Sequence, residues 1–375
     1  MLRSGRCMVL ACVLALAACA APATRQSPQE HRLVGYVVRD ADPAHIAAEK
    51  LTALNYAFAQ IDNNGVVVLQ HAEDSDYLAR LHALKSRNPR LKLLVSVGGW
   101  GADGFSDAAL SEASRSRFVE SAAELIARHQ LDGIDVDWEY PGLADAGIRS
   151  RPEDKHNFTL MLQRLRERFD RLAEEQHRRD DPYLITAALA DHEFVANIEL
   201  ARVSAILDWV NLMTYDFHGS LTKTTGHHSA LRRSATSAPE ERSIESAVAQ
   251  FLAAGVPARK LVIGVPFYGK EFLDVNPANH GLDQPFSGRV PVYPWPQLVA
   301  DFVDRNGYVR YWDDAAQVPY LWNAQTHAFV SYDDTQSLKL KAEYVKAHGL
   351  GGMMYWEQSL DPEGQLLDLL ARELR

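Results

Sequence analysis

Cysteine is missing from most of the chain: Cys7, Cys12 and Cys19 are the only three, all within the first nineteen residues. A disulfide framework beyond that point is excluded, so the fold there must hold by packing. Apolar runs are short, and none reaches the roughly 20 residues a membrane-crossing helix needs. Long basic runs are also missing, with 39 Lys+Arg against 49 Asp+Glu. A nucleic-acid partner is therefore not expected. No segment repeats at a fixed period, which argues against a solenoid or propeller. No Gly-x-Gly-x-x-Gly follows the first apolar run, so a dinucleotide cofactor has no support. What is present is a chain of 375 residues, 47% hydrophobic and 23% charged. That length and composition suit a folded chain with a self-sufficient core.

The first residues read as an export signal. Arg3 and Arg6 precede an apolar run from Cys7 to Ala18, the pattern of a signal-peptide core. Leu16-Ala17-Ala18-Cys19 resembles the lipobox of bacterial lipoproteins. The resemblance implies cleavage before Cys19 and a lipid on its sulfur, so that the membrane becomes a partner through that anchor. Ala20 rather than aspartate after the cysteine implies sorting to the outer membrane of the cell envelope. A plain secretory signal cut near Ala21 or Ala23 is the alternative. The expected organisation is a signal peptide over 1–18, a lipidated tether over 19–31 rich in Ala, Pro, Ser and Gln, and a folded chain over 32–374. A monomer is expected.

Beyond the tether, short apolar runs alternate with longer amphipathic stretches. Strands are expected over 33–39, 51–61, 91–98, 131–139, 183–190, 209–216, 260–268 and 351–357. Most are nearly continuous apolar runs, as when both sheet faces are covered. Helices are clearest over 108–128, 153–175 and 243–254, with Gly255 as the stop signal of the last. About eight strand–helix units predict an α/β fold, a (β/α)8 TIM barrel, ahead of an open doubly wound sheet. One connection is anomalous. From about 270 to 332 no long helical pattern appears, and the stretch carries Tyr293, Trp295, Tyr308, Tyr311, Trp312, Tyr320, Trp322 and Tyr332. Barrel connections usually run about 2–6 residues. A small α+β insertion between strands 7 and 8 is expected, walling one side of the barrel's active face while using some of these aromatics as its own core.

The most informative segment is Leu131-Asp132-Gly133-Ile134-Asp135-Val136-Asp137-Trp138-Glu139-Tyr140-Pro141. Side chains alternate faces along a strand, so Asp135, Asp137 and Glu139 share one face while Ile134, Val136 and Trp138 share the other. The acids would point into the barrel, with Glu139 at the C-terminal end where such barrels carry their chemistry. Three crowded carboxylates repel, so at least one proton should stay bound near neutral pH. A proton kept on the outermost acid makes a general acid. The same face could instead bind Mg²⁺ or Ca²⁺ through oxygen, or be a solvated strand edge. His218, His227 and His228 follow the sixth strand and raise a metal site as an alternative to solvated or sugar-contacting side chains.

The octapeptide from Asp132 to Glu139 resembles the Asp-x-x-Asp-x-Asp-x-Glu signature of family 18 glycoside hydrolases, the chitinases and their relatives. Ser96-Val97-Gly98-Gly99-Trp100, Asn55-Tyr56-Ala57-Phe58, Met213-Thr214-Tyr215-Asp216, Gly264-Val265-Pro266-Phe267-Tyr268-Gly269 and Gly351-Gly352-Met353-Met354-Tyr355-Trp356-Glu357 are similar to other strand motifs of that family. Val318-Pro319-Tyr320 and Phe329-Val330-Ser331-Tyr332-Asp333-Asp334 resemble its insertion. The resemblance implies hydrolysis of β-1,4-linked N-acetylglucosamine chains, with chitin or chito-oligosaccharide as the partner and no metal or cofactor. It implies that Glu139 protonates the leaving oxygen while the substrate's own acetamido group attacks, as substrate-assisted glycosidases do. Asp137 would orient that group, Asp135 would share a proton with Asp137, and Tyr215 would bind the acetamido oxygen. Trp356 would floor the pocket, and Gly98, Gly99, Trp100, Tyr140, Met213 and Asp216 would line it. Tyr36 and Phe58 would sit below, as substrate contacts or as barrel filling. An endo-β-N-acetylglucosaminidase and a non-catalytic chitin-binding lectin are the alternatives.

Overall fold

The computed structural model describes residues 31–375. The expected signal peptide, Cys19 and the tether up to residue 30 lie outside the described residues. Eight strands run in parallel: β1 (Arg32–Val38), β2 (Ala53–Ile61), β3 (Lys92–Gly98), β4 (Gly133–Asp137), β5 (Leu184–Leu189), β6 (Trp209–Leu212), β7 (Leu261–Pro266) and β8 (Gly352–Trp356). Each pairs with the next, and β8 pairs back onto β1, closing the barrel. The expected (β/α)8 barrel is therefore found. Closure leaves no free sheet edge in this ring, so the acidic strand β4 is an interior strand between β3 and β5.

Packing outside the ring follows the strand alternation. Ile134, Val136 and Trp138 are buried against the surrounding helices. The Trp138 ring stacks on Phe105 at 5.3 Å and meets Phe158 edge-on at 5.6 Å. Phe158 belongs to helix Asp154–Glu175, which buries Met161, Leu162, Leu165, Phe169 and Leu172 on the same stripe. That spacing is the helical period, so one face of the helix covers the sheet. With Trp138 pinned outward, Asp137 and Glu139 on either side must turn inward.

The helix expected over 108–128 is two helices, Phe105–Leu110 and Glu112–Arg128. Ser111 breaks it: its backbone is extended and its hydroxyl accepts from the Ser114 amide, while the Ser114 hydroxyl accepts from the Ser111 amide. This reciprocal cap starts a new helix where apolar periodicity alone continues the old one.

The insertion leaves the barrel directly after β7. Its five-stranded antiparallel sheet is ordered Val292–Pro294, Tyr268–Phe272, Ala328–Ser331, Val318–Asn323, Tyr308–Asp313. Phe272, Val275, Leu282, Tyr320, Trp322 and Phe329 form its own core. Trp295 and Tyr332 instead join the packing outside the barrel. Among the described residues no helix is long and apolar enough to cross a membrane.

Candidate active site

Not all four acids of the β4 segment face the same end of the barrel. Asp132 lies at the strand's entrance, where Lys85 Nζ reaches it at 2.5 Å and Arg178 at 3.1 Å. Its Oδ2 also accepts from the Leu93 amide at 2.7 Å. It ties β4 to the underside of the barrel and has no part in a pocket above.

Asp135 is fully buried in the barrel interior, and four neutral donors occupy its carboxylate. Thr186 Oγ1 donates at 2.5 Å, Ser96 Oγ at 2.7 Å, Tyr36 Oη at 2.8 Å and Asn211 Nδ2 at 3.1 Å. These come from β5, β3, β1 and β6, so the ring itself builds the cage. Burial pushes the Asp135 carboxyl up, and the four hydrogen bonds oppose that rise.

Asp137 stands one step higher on the same face, and its environment is the opposite. Burial, then the charges of Glu139 and Asp135, push its carboxyl well above the ordinary range. Its Oδ1 is buried and has no hydrogen-bond partner. Strand β3 approaches closely here: the Gly99 amide donates to the Asp137 carbonyl at 2.9 Å. A Cβ on Gly98 would lie 2.1 Å from that carbonyl oxygen, and Gly98 has φ +118°. Only glycine meets both demands. Gly98 and Gly99 thus lie buried against the backbone of the acidic strand.

Glu139 lies two residues beyond the end of β4 and is partly buried. Burial raises its carboxyl to about 7, with hydrogen bonding from Tyr140 opposing and the charge of Asp216 adding. A carboxyl raised to that range suits general-acid chemistry near neutral pH. Tyr215 is a phenol raised well above its ordinary range by burial and by the charges of Asp137 and Asp216, so it stays a donor. Its hydroxyl finds only the Met354 sulfur, at 4.0 Å.

The pocket floor is aromatic. Trp356, at the end of β8, is flanked by Phe58, stacked at 5.7 Å, and by Tyr36, tilted at 5.6 Å. Phe58 is half-buried, whereas Tyr36 is buried and spends its hydroxyl on Asp135. Met213 is buried in the interior cluster with Ala188, Ala190 and Trp209. Trp100 is 56% exposed and meets Tyr140 edge-on at 6.2 Å.

Two residues escaped sequence reasoning. Phe194 packs on Tyr140 with ring centroids 4.1 Å apart, extending the row that Trp100 begins. Arg242 lies over the rings of Phe217 and Phe194 and pairs with buried Asp191. Phe194 lies in a short 3-10 helix, His192–Asn197, and Arg242 in the loop before helix Ile244–Ala253, neither of which leaves an apolar period in the sequence. The one available signal was the place of Phe194 soon after a barrel strand's C-terminal end.

Asp216 sits half-exposed on the rim, with φ +58°. Lys270 Nζ reaches it at 2.6 Å and the Tyr268 hydroxyl donates at 2.6 Å, both from the insertion's first strand. Its surroundings alone would raise the carboxyl, but His228 and Lys270 outweigh them and hold it well below the usual range. The three loop histidines go to three different acids: His218 to Glu241 at 2.7 Å, His227 to Asp313 at 3.0 Å and His228 to Asp216 at 3.6 Å. Among the described residues no group of three or more His, Cys, Asp or Glu is arranged to hold a metal ion.

The arrangement unites an acid that titrates near neutrality, a buried unpartnered acceptor, a free phenol donor and an indole floor. Residues 32–361 match the family described as Glycosyl hydrolases family 18. The chain belongs to that family. It is 36% identical to Chitinase A1 of Niallia circulans, over 94% of this chain and 60% of the length of that protein. It is 35% identical to Chitotriosidase-1 of Mus musculus, over 90% of this chain and 72% of that one. A solved family 18 N-acetylglucosaminidase from Paenibacillus barengoltzii superposes with a TM-score of 0.85 at 40% identity, covering 92% of this chain and 99% of that one.

In this family 18 barrel, Gly264 of β7 sets the place of Tyr215. A Cβ there would lie 2.7 Å from Tyr215 Cε1, from Met354 Cε and from the Leu212 carbonyl. Gly264→Ala is expected to displace Tyr215 and, if that residue contacts the reacting group, to cut kcat by about 10- to 100-fold, since small misplacements are costly there. Overpacking should cost about 1–3 kcal/mol of stability. Steady-state kinetics beside a melting curve check both; unchanged kcat would show that Gly264 does not hold Tyr215.

Proposed function

We propose that this chain is a chitinase, hydrolysing β-1,4-linked N-acetylglucosamine oligomers or polymers with retention through the substrate's own acetamido group. The observation that carries the reading is the buried, unpartnered Oδ1 of Asp137. A buried acceptor without a donor is costly unless a ligand supplies one. An acetamido N–H is such a donor, and the neighbouring Tyr215 hydroxyl is free to donate to the acetamido oxygen. The names of the Niallia and mouse relatives point the same way.

In this reading Glu139 gives its proton to the glycosidic oxygen. The C1–O bond breaks while the acetamido carbonyl oxygen bonds to C1, forming an oxazolinium ion and releasing the leaving sugar. Asp137 faces the developing positive charge. The proton that the Asp135–Asp137 pair holds rests on Asp137 in the free protein, because four donors already fill Asp135. It moves toward Asp135 as the cation forms, when the Ser96 or Thr186 hydroxyl turns to accept. Glu139, now ionised, takes a proton from water; the water oxygen bonds to C1 and the oxazolinium ring opens. Trp356 supports the sugar face with its ring. Trp100, Tyr140, Met213 and Asp216 border the neighbouring sugars.

A second reading, release of single N-acetylglucosamine units, is favoured by the likeness to the Paenibacillus N-acetylglucosaminidase over nearly all of that chain. We also propose attachment to the bacterial envelope through a lipid on Cys19, supported by Arg3, Arg6, the apolar run to Ala18 and the Leu16–Cys19 motif. The test is incubation of the purified protein with chitotetraose and with its de-N-acetylated counterpart. Cleavage of the first alone, unaffected by EDTA and giving the β-anomer first, is expected. Cleavage of both would remove the acetamido mechanism, and oligomer binding without cleavage would make the protein a lectin. Disaccharide against monosaccharide products separates the two enzyme readings.

A further inference from the structure

The segment that carries Tyr215 is fastened from behind by a buried ion pair. Lys341 lies on helix Thr335–Ala347, and its side chain and that of Asp333 are both wholly buried. Lys341 Nζ donates to the two Asp333 oxygens at 2.6 and 2.5 Å, to Ser229 Oγ at 3.0 Å and to the Ser229 carbonyl. The Ser337 hydroxyl adds a bond to Asp333 at 2.6 Å. Ser229 then passes the tie onward: its hydroxyl donates to the Thr214 carbonyl at 2.9 Å. Thr214 immediately precedes Tyr215. Its own hydroxyl donates to the Gly264 carbonyl at 2.7 Å and accepts from the Gly264 amide at 2.9 Å. A second tie runs in parallel, from the His228 amide to Ser331 Oγ at 2.8 Å.

Burying two charges is expensive, and well-packed apolar residues of similar volume often replace such a pair without loss of stability. Stability is therefore a weak reason for a lysine at 341. The partners of its ammonium group are more informative. None lies on the preceding turn of its own helix; they are Asp333, which ends the insertion, and Ser229, which returns the β6 segment toward the barrel. Strand β6 ends at Leu212, so Tyr215 has no ladder hydrogen bonds to place it.

We propose that Lys341 and Asp333, acting through Ser229, are positioning residues that fix the Thr214 carbonyl and with it the Tyr215 hydroxyl. The assignment rests on the reading that Tyr215 binds the reacting acetamido group. None of the three touches substrate; they act only through Tyr215.

Ser229→Ala is the informative variant, because it severs the link while leaving the ion pair and the Lys341 bond to the Ser229 carbonyl. It is expected to lower kcat on chitotetraose by about 10-fold or more, with KM little changed, as for an interaction realised in the transition state. Its melting temperature should fall by only about 2–4 °C, the cost of leaving the buried Thr214 carbonyl without its donor, with the fold retained. The decisive control is a cycle with Tyr215→Phe. If Ser229 acts through that hydroxyl, Ser229→Ala costs nothing further once the hydroxyl is gone. Lys341→Met/Asp333→Asn, which removes both charges together, should repeat the kcat loss; Lys341→Met alone would strand a buried charge and is uninformative about catalysis. Wild-type kcat in Ser229→Ala, or a loss that adds fully to that of Tyr215→Phe, would overturn the proposal. Wild-type kcat in Tyr215→Phe itself would overturn the reading beneath it and the proposal with it.

Discussion

Glu139→Gln is expected to lower kcat on chito-oligosaccharides by about 100- to 10,000-fold, the range a positioned general acid supplies. Glutamine keeps the shape of the side chain and removes the proton. KM should change little, because in the proposed mechanism the proton is transferred only as the bond breaks. The fold should not suffer. The native carboxyl is raised to about 7 from an ordinary 4.5. A folded-state value above the unfolded one means that the native state binds the extra proton between those pH values. Stability therefore falls as pH rises through that window, and the variant, having no such group, should be more stable than the parent above pH 7. The same shift sets the activity profile of the parent. In the proposed mechanism the acid must be protonated, so kcat/KM, which reports titration of the free protein, should hold below pH 7 and fall as pH rises through it. Asp216→Asn removes a negative charge that raises Glu139, and its alkaline limb should move to lower pH. A wild-type rate in Glu139→Gln, or a kcat/KM profile flat to pH 9, would remove Glu139 from the acid's role.

How much of this was legible beforehand depended on the kind of signal. The inward turn of Asp135, Asp137 and Glu139 followed from a period of two and from Trp138, whose apolar ring had to face the helices. The closed barrel followed from repeated apolar runs. What failed was whatever polar chemistry inside the fold decides. Helix Thr335–Ala347 did not stand out because its buried face carries Ser337 and Lys341 among Leu338, Ala342 and Val345, which blurs the apolar stripe. The break at Ser111 was hidden because a serine pair, not an apolar gap, makes it. Pairing in the insertion's sheet is non-local and leaves no periodic trace. Asp132, Asp135 and Asp137 look alike in the chain, yet one is held by two cations, one by four neutral donors and one retains an unpartnered oxygen. Only the three-dimensional cage tells them apart.

That difference makes Asp137→Asn the sharpest test of how charge is handled at the pocket floor. In the free protein Asp137 is pressed toward its neutral form by burial and by Glu139 and Asp135. Asparagine copies that neutral form closely, with an amide oxygen still available to an acetamido N–H. If the residue only oriented the substrate, the variant would keep most of its activity. If it must become an anion beside a developing cation, asparagine cannot follow. An electrostatic partner aimed at transition-state charge in a buried site is worth about 100- to 1,000-fold, so kcat should fall by that factor while oligosaccharide binding persists. Asp135→Asn should behave differently, since four neutral donors already occupy its carboxylate and, in the proposed mechanism, its effect passes through a proton exchanged with Asp137. Kinetics of both variants, with binding measured separately by calorimetry, decide the matter. Wild-type kcat in Asp137→Asn would leave orientation as the whole of its role and would remove the anion from the mechanism.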